Sequence, residues 1–257
     1  MKNHISLFIF AIALLSGPVS ANDLSMTAVK DTLASIPGEH NYIYVRTPLG
    51  EDEEKNYDEI TFYDGLGREL DFAQSYGADR AGAIMAHHHL IEYDSLGRKE
   101  KQWLSTNTSF SYMSPEDLKG GVLWDYHDAG KRSYLQTNYE SSPLNRITEQ
   151  YGVGDAWGDH PARMEYLTNI PADSLRCSFY FIDDNDSLIR RGDYRSGELQ
   201  VTKATDEDGK PTYTFVDKQG RTLLTRLGRG NQQADTYFVF DRFGRIRYVL
   251  RSEEHTS

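Results

Sequence analysis

The sequence predicts a mainly β protein built from antiparallel β-hairpin repeats, with short helical turns only. Aromatic residues make up 12% of the 257 positions, with 17 Tyr and 11 Phe, and Gly occurs 21 times. Tyr and Phe favour strands, and Gly favours turns. A six-residue motif returns along the chain: Tyr63-Asp64-Gly65-Leu66-Gly67-Arg68, then Tyr93-Asp94-Ser95-Leu96-Gly97-Arg98. Looser copies are Val216-Asp217-Lys218-Gln219-Gly220-Arg221 and Phe240-Asp241-Arg242-Phe243-Gly244-Arg245. The flanks of these motifs alternate apolar and polar residues, as half-buried strands do.

The first segment is an address. Lys2, an apolar run from Ile5 to Leu15, and Val19-Ser20-Ala21 have the layout of a cleaved secretory signal peptide, residues 1–21. The run is too short to span a bilayer comfortably, and no Cys follows it closely, so neither a membrane span nor a lipoprotein anchor is indicated. The mature chain is expected to be exported, at the cell surface or secreted. Its formal charge is −11 even before loss of Lys2, and an acidic chain is a poor partner for nucleic acid. Residues 22–40 read as a linker with a brief helix ending at Pro37-Gly38. Residues 41–250 form the β domain.

Within that domain the turn chemistry can be read position by position. Asp accepts a hydrogen bond from a backbone N–H two residues on. Gly three residues later suits the left-handed position after a type I turn. Arg restarts the strand and is expected to pair with an Asp of a neighbouring hairpin. Ile60 and Phe62 share one face before the first turn; Leu70 and Phe72 share one after it. Tyr237 and Val239 precede the last turn, with Ile246, Tyr248 and Leu250 after it. A degraded copy runs from Ile182 to Ser187, where Gly and Arg are lost. The spacing between copies is irregular, which excludes a solenoid of equal units. Gly50 to Glu59 reads as a solvated acidic loop. Ser114 to Gly121 carries an N-cap Ser and a Pro at the first helical position, predicting one helical turn. Thr205 to Pro211 is a turn.

These motifs resemble a known family. Tyr-Asp-x-x-Gly-Arg is similar to the YD repeat of RHS proteins and teneurin-like shells. The stretch Asn138 to Trp157, with Ser142, Pro143, Leu144, Asn145, Arg146 and Trp157, looks like a segment of exported RHS-repeat proteins of Bacteroidota. There it lies in an N-terminal domain of unknown function, whose start "YIYVRTPL" resembles. The chain departs from the pattern at 182–187 and at Val153, where relatives carry Pro. The resemblance implies a shell of β-hairpins around a C-terminal toxin. This chain would be a non-catalytic scaffold, and its partners would be downstream RHS repeats, core and cargo of the same polypeptide. The last seven residues, 251–257, read like one frame of a sequencing adapter, so an assembly artefact and a truncated gene product are expected. The alternative is a cell-surface β module that binds glycan or protein.

Other sites weigh against chemistry. His87, His88 and His89 invite a metal, but neighbours on a strand point to opposite faces. "DDNDS" and "DEDG" carry oxygens suited to calcium without EF-hand spacing. Trp103, Trp124 and Trp157 are candidates for a sugar platform, although aromatics in β proteins are more often packing partners. Cys177 is expected to be a buried small hydrophobe. No G-x-S-x-G elbow and no phosphate-binding loop occur. No cofactor and no enzymatic activity are expected.

Overall fold

Alternation of large apolar and polar side chains, punctuated by Asp and Gly, gives strand after strand. A computed structural model describes residues 40–48, 56–78, 84–127, 130–228 and 233–252, with Lys30, Leu33, Ala34, Ile36 and Gly38 before them. The signal peptide and residues 253–257 lie outside the described residues. Fourteen strands form one antiparallel sheet, and two more form a separate hairpin. The chain divides into two compact units, residues 1–136 with 153–155, and residues 137–152 with 156–257.

The first unit holds β1 (Asn41–Pro48), β2 (Asn56–Tyr63), β3 (Glu69–Ala78), β4 (Ile84–Tyr93), β5 (Lys99–Trp103) and β6 (Thr106–Ser109). Strands β1 to β5 follow in sheet order, and β6 pairs with the other half of β4. The core side of the sheet carries Asp58, Ile60 and Phe62 on β2, Asp71, Ala73 and Ser75 on β3, and Ala86, His88 and Leu90 on β4. Ile60 and Phe62 are almost fully buried, each worth about 1.5–3 kcal/mol relative to exposure. Phe110, Tyr112 and Ile36 pack onto this cluster. Helix α1 (Pro115–Asp125) packs on β6, where Gly121 lets the helix meet the Thr106 hydroxyl; a Cβ there would lie 2.7 Å from it. Ser114 caps the helix by accepting from the Asp117 N–H. The expected single turn is thus three turns long, because Leu118 and Val122 share a buried stripe that holds the next turns down.

Two further readings change. Asn56 to Glu59, expected in an acidic loop, belong to β2, where Asp58 is buried and takes the Arg46 guanidinium on both oxygens at 2.7 and 3.0 Å. The Tyr44 hydroxyl donates to the same carboxylate. Burial, with Asp58 beside it, raises the Tyr44 pKa. On β3 the core side is Asp71, Ala73 and Ser75, not Leu70 and Phe72. The register against β2 slips by one residue just after the turn, at Leu70, and so the faces exchange.

The second unit holds the end of β7 (Tyr134–Tyr139), then β8 (Ile147–Tyr151), β9 (Ala162–Thr168), β12 (Gln200–Thr205), β13 (Pro211–Val216), β14 (Thr222–Leu227), β15 (Ala234–Phe240) and β16 (Ile246–Arg251), adjacent in that order. Between β9 and β12 the chain leaves the sheet and forms the hairpin β10 (Ser178–Ile182) and β11 (Leu188–Asp193). Cys177, Leu199, Val201, Phe215 and Leu224 make the core. Two side chains fix the excursion. Buried Asn169 accepts from the Leu199 N–H and donates to the Arg195 carbonyl, both at 2.8 Å. Arg226 grips Asp235 with two bonds of 2.7 Å and donates to the Ser174 and Arg176 carbonyls.

Candidate functional site

The repeated turn is one hydrogen-bonded object. In the first copy the Asp64 N–H donates to the Arg68 carbonyl at 2.9 Å, and the Gly67 N–H to the Asp64 carbonyl at 3.0 Å. Asp64 Oδ1 accepts from the Leu66 and Arg68 N–H groups at 2.8 and 2.9 Å, and Oδ2 accepts from Arg68 Nε at 2.7 Å. The same bonds recur around Asp94–Arg98, Asp217–Arg221 and Asp241–Arg245. Gly67, Gly97, Gly220 and Gly244 sit at φ 77 to 80°, the left-handed region open to glycine. The Arg therefore pairs with its own Asp, four residues back, and not with an Asp of a neighbouring hairpin: the tight turn already places the two 2.7–2.9 Å apart. The Arg68 backbone N–H holds the Asp64 carboxyl below its ordinary value, and the Arg245 N–H does the same for Asp241. At Asp94 and Asp217 partial burial pushes upward, but the N–H bonds and the guanidinium outweigh it.

Three more loops prove to be variants. At Asp183 the turn survives without Gly or Arg: Ser187 supplies the N–H, and Asp186 takes the left-handed position at φ 64°. Asp206 builds the same loop with Gly209 and Lys210. The stretch Glu140 to Arg146 is a version two residues longer. The Glu140 N–H donates to the Arg146 carbonyl, Arg146 grips Glu140 at 2.7 and 2.6 Å, and Asn145 sits at φ 54° where Gly would be. The longer Glu side chain spans the longer loop, and Ser142 braces it. Arg146 pulls the Glu140 pKa down to about 2. Pro143 and Leu144 form the exposed tip. Trp157 closes a short helical turn, its ring against Gly152, where a Cβ would stand 3.3 Å away.

Adjacent motifs also touch. The Arg68 guanidinium lies 4.5 Å over the ring of Tyr93, the first residue of the next motif, and the Tyr93 hydroxyl donates to the Glu69 carbonyl at 2.7 Å. Arg221 lies in the same way over Phe240, at 5.1 Å, and Arg146 over Tyr166, at 4.5 Å. All four Gly-Arg motifs share the one-residue register slip in the strand that follows. Beyond the slip, pairing with the next strand stops: β3–β4 at Asp71↔Leu90, and β14–β15 at Leu224↔Tyr237. Each unit also carries a cleft. In the first unit it lies beside Phe72, His89 and Trp103 and holds about 280 Å³. In the second it opens to about 540 Å³, roofed by β10.

Of the other sites named from sequence, His88, Trp103 and Cys177 are packing residues. His88 points into the core, its Nδ1 2.7 Å from Asp71 and its Nε2 3.0 Å from the Ser109 carbonyl. His87 and His89 belong to the opposite face of β4. Burial lowers the His89 pKa. Among the described residues, no three His, Cys, Asp or Glu side chains are grouped to hold a metal ion. The indole N–H of Trp103 donates to Glu92, whereas Trp124 stands 83% exposed on α1. Burial pushes the Cys177 thiol up to about 12. Among the described residues, no helix is long and apolar enough to cross a membrane.

Residues 41–168 match the model of a protein family described as a domain of unknown function, DUF6443. The motifs at 63–68 and 93–98 and the Glu140 loop lie inside that match, while those at 217 and 241 lie beyond it. No curated protein matches the chain.

Proposed function

We propose that this chain is a non-catalytic scaffold, the N-terminal part of an exported RHS/YD-repeat protein, and that its sheet is extended by further hairpins of the same polypeptide. One observation carries the reading: the Arg of one motif is seated on the aromatic residue that opens the next. Arg68 and Arg221 have such a seat, and Arg146 of the longer loop lies over Tyr166 on β9. Arg245, just before β16, is followed by no further Tyr-Asp or Phe-Asp motif among the described residues. Its side chain is 66% exposed, against 33% for Arg68 and 35% for Arg221, and it lies instead near Phe243 of its own turn. β16 is also the last strand in the sheet order. An edge strand with unused N–H and C=O groups and a cation lacking its usual ring fits a strand ending in Tyr-Asp or Phe-Asp.

The test is to sequence the locus past the codon for Leu250 from an independent clone. The reading expects more Tyr-Asp-x-x-Gly-Arg motifs in frame. A stop codon at or near that position in genomic DNA would overturn it.

A further inference from the structure

The cleft of the second unit is the larger of the two described above. Its 540 Å³ falls within the roughly 300–1,000 Å³ usual for small-molecule sites, and the 280 Å³ of the first falls below it.

The walls suit a particular chemistry. Phe179, Tyr180, Tyr194, Tyr237 and Phe238 line the cleft, and none is fully buried, so ring surface remains open to a ligand. Around them are polar groups with capacity to spare. Arg242 is exposed and makes no hydrogen bond among the described residues; its guanidinium lies 5.0 Å from the Phe243 ring. Gln219 uses its carbonyl oxygen on Arg221 at 3.4 Å, which leaves its amide N–H groups for other work. The Tyr180 and Tyr194 hydroxyls donate to nothing among the described residues. The roof is anchored at both ends: the Ser178 N–H donates to the Tyr237 hydroxyl at one end, and Asp186 meets Arg247 and Tyr248 at the other. A cleft held open from both ends costs a ligand little reorganisation.

We propose that this cleft binds a short saccharide. A pyranose offers an apolar C–H face to the aromatic rings and hydroxyls to the Arg242 guanidinium and the Gln219 amide. A purely apolar ligand would strand those polar groups, and a phosphorylated one would find, among the described residues lining the cleft, one unpaired cation, Arg242.

The test uses the intact chain against maltotriose, cellotriose, chitotriose and sialyllactose, with a Phe-rich peptide as the competing class, by ligand-observed NMR and calorimetry. At least one saccharide is expected to bind with a Kd of about 1 mM or tighter. Arg242→Gln, at an exposed position, should weaken it about tenfold. Gln219→Ala, which keeps its backbone N–H on Asp217, should preserve the melting temperature and weaken binding about tenfold as well. That variant separates loss of the site from loss of the fold. No saccharide binding below about 10 mM, binding indifferent to both substitutions, or binding of the peptide alone would overturn the proposal. None of these outcomes bears on the scaffold reading, which rests on β16 and on sequence beyond it.

Discussion

Replacing Gly97 by Ala should cost more than the same change at Gly67, and the excess should vanish when Arg68 is removed. Both glycines sit in the left-handed region, at φ 80 and 78°, so each Ala carries about 1–2 kcal/mol of backbone strain. At Gly67 a Cβ meets nothing within 4 Å. At Gly97 it would stand 2.9 Å from Arg68 Nη1. The guanidinium must then shift from its place 4.5 Å over Tyr93, forfeiting about 0.5–1 kcal/mol of cation–π attraction. Both positions belong to the first unit, so urea unfolding of the two variants monitors one structure. The midpoint should fall further for Gly97→Ala at constant m. In an Arg68→Ala background the two glycine substitutions should become equal. Equal costs with Arg68 present, or an excess that survives its removal, would refute the idea that the motifs are coupled through this guanidinium.

Three further outcomes are expected. Arg226→Ala should destabilise the second unit by about 3–5 kcal/mol, because it leaves Asp235 and two carbonyls of the excursion unpaired; thermal melting reads this, and a loss under about 1 kcal/mol would contradict it. Cys177 should resist a thiol reagent at pH 8 in the native state and react on unfolding, since burial holds its pKa near 12. The Glu140 pKa is depressed to about 2 from an ordinary 4.5, so its contribution to stability is complete above about pH 4.5 and is lost as pH falls towards 2. Carboxyl chemical shifts of Glu140 followed through that window should show it titrating after the exposed glutamates.

The turn motif was legible because its chemistry is local. Asp bonds within four residues, and Gly must adopt a positive φ, so four loops can be found by spelling. The Glu140 loop escaped because a longer acid across a longer loop makes the same bonds with different spacing, and the loop at Asp206 was recognised only as a turn. The Arg–Asp pairing was assigned to the wrong neighbour, since sequence gives the types of charge but not the closure of the loop. The face after the first turn was misread because a single extra residue exchanges inside and outside, and nothing in Leu70 announces it; after the last turn Tyr248 and Leu250 do stand opposite Val239 and Tyr237. Asp58, Asp71 and His88 were invisible as core residues because their burial depends on partners 12 to 21 positions away. Of the tryptophans weighed as a sugar platform against packing, Trp103 bonds to Glu92 and Trp124 stands exposed on α1. The open cleft is lined by Tyr and Phe, which alternation marked only as strand residues.

The pairing of Arg with Asp inside one loop has an evolutionary corollary. Each Asp–Arg turn carries its own countercharge and satisfies its own backbone, so copying the turn itself adds neither net charge nor an orphan donor. The new copy needs from its neighbour only a ring at one position. A gene can therefore lengthen or shorten such a sheet by duplication or deletion of hairpins without retuning the electrostatics of the rest. The uneven spacing of the motifs is what such a history would leave behind.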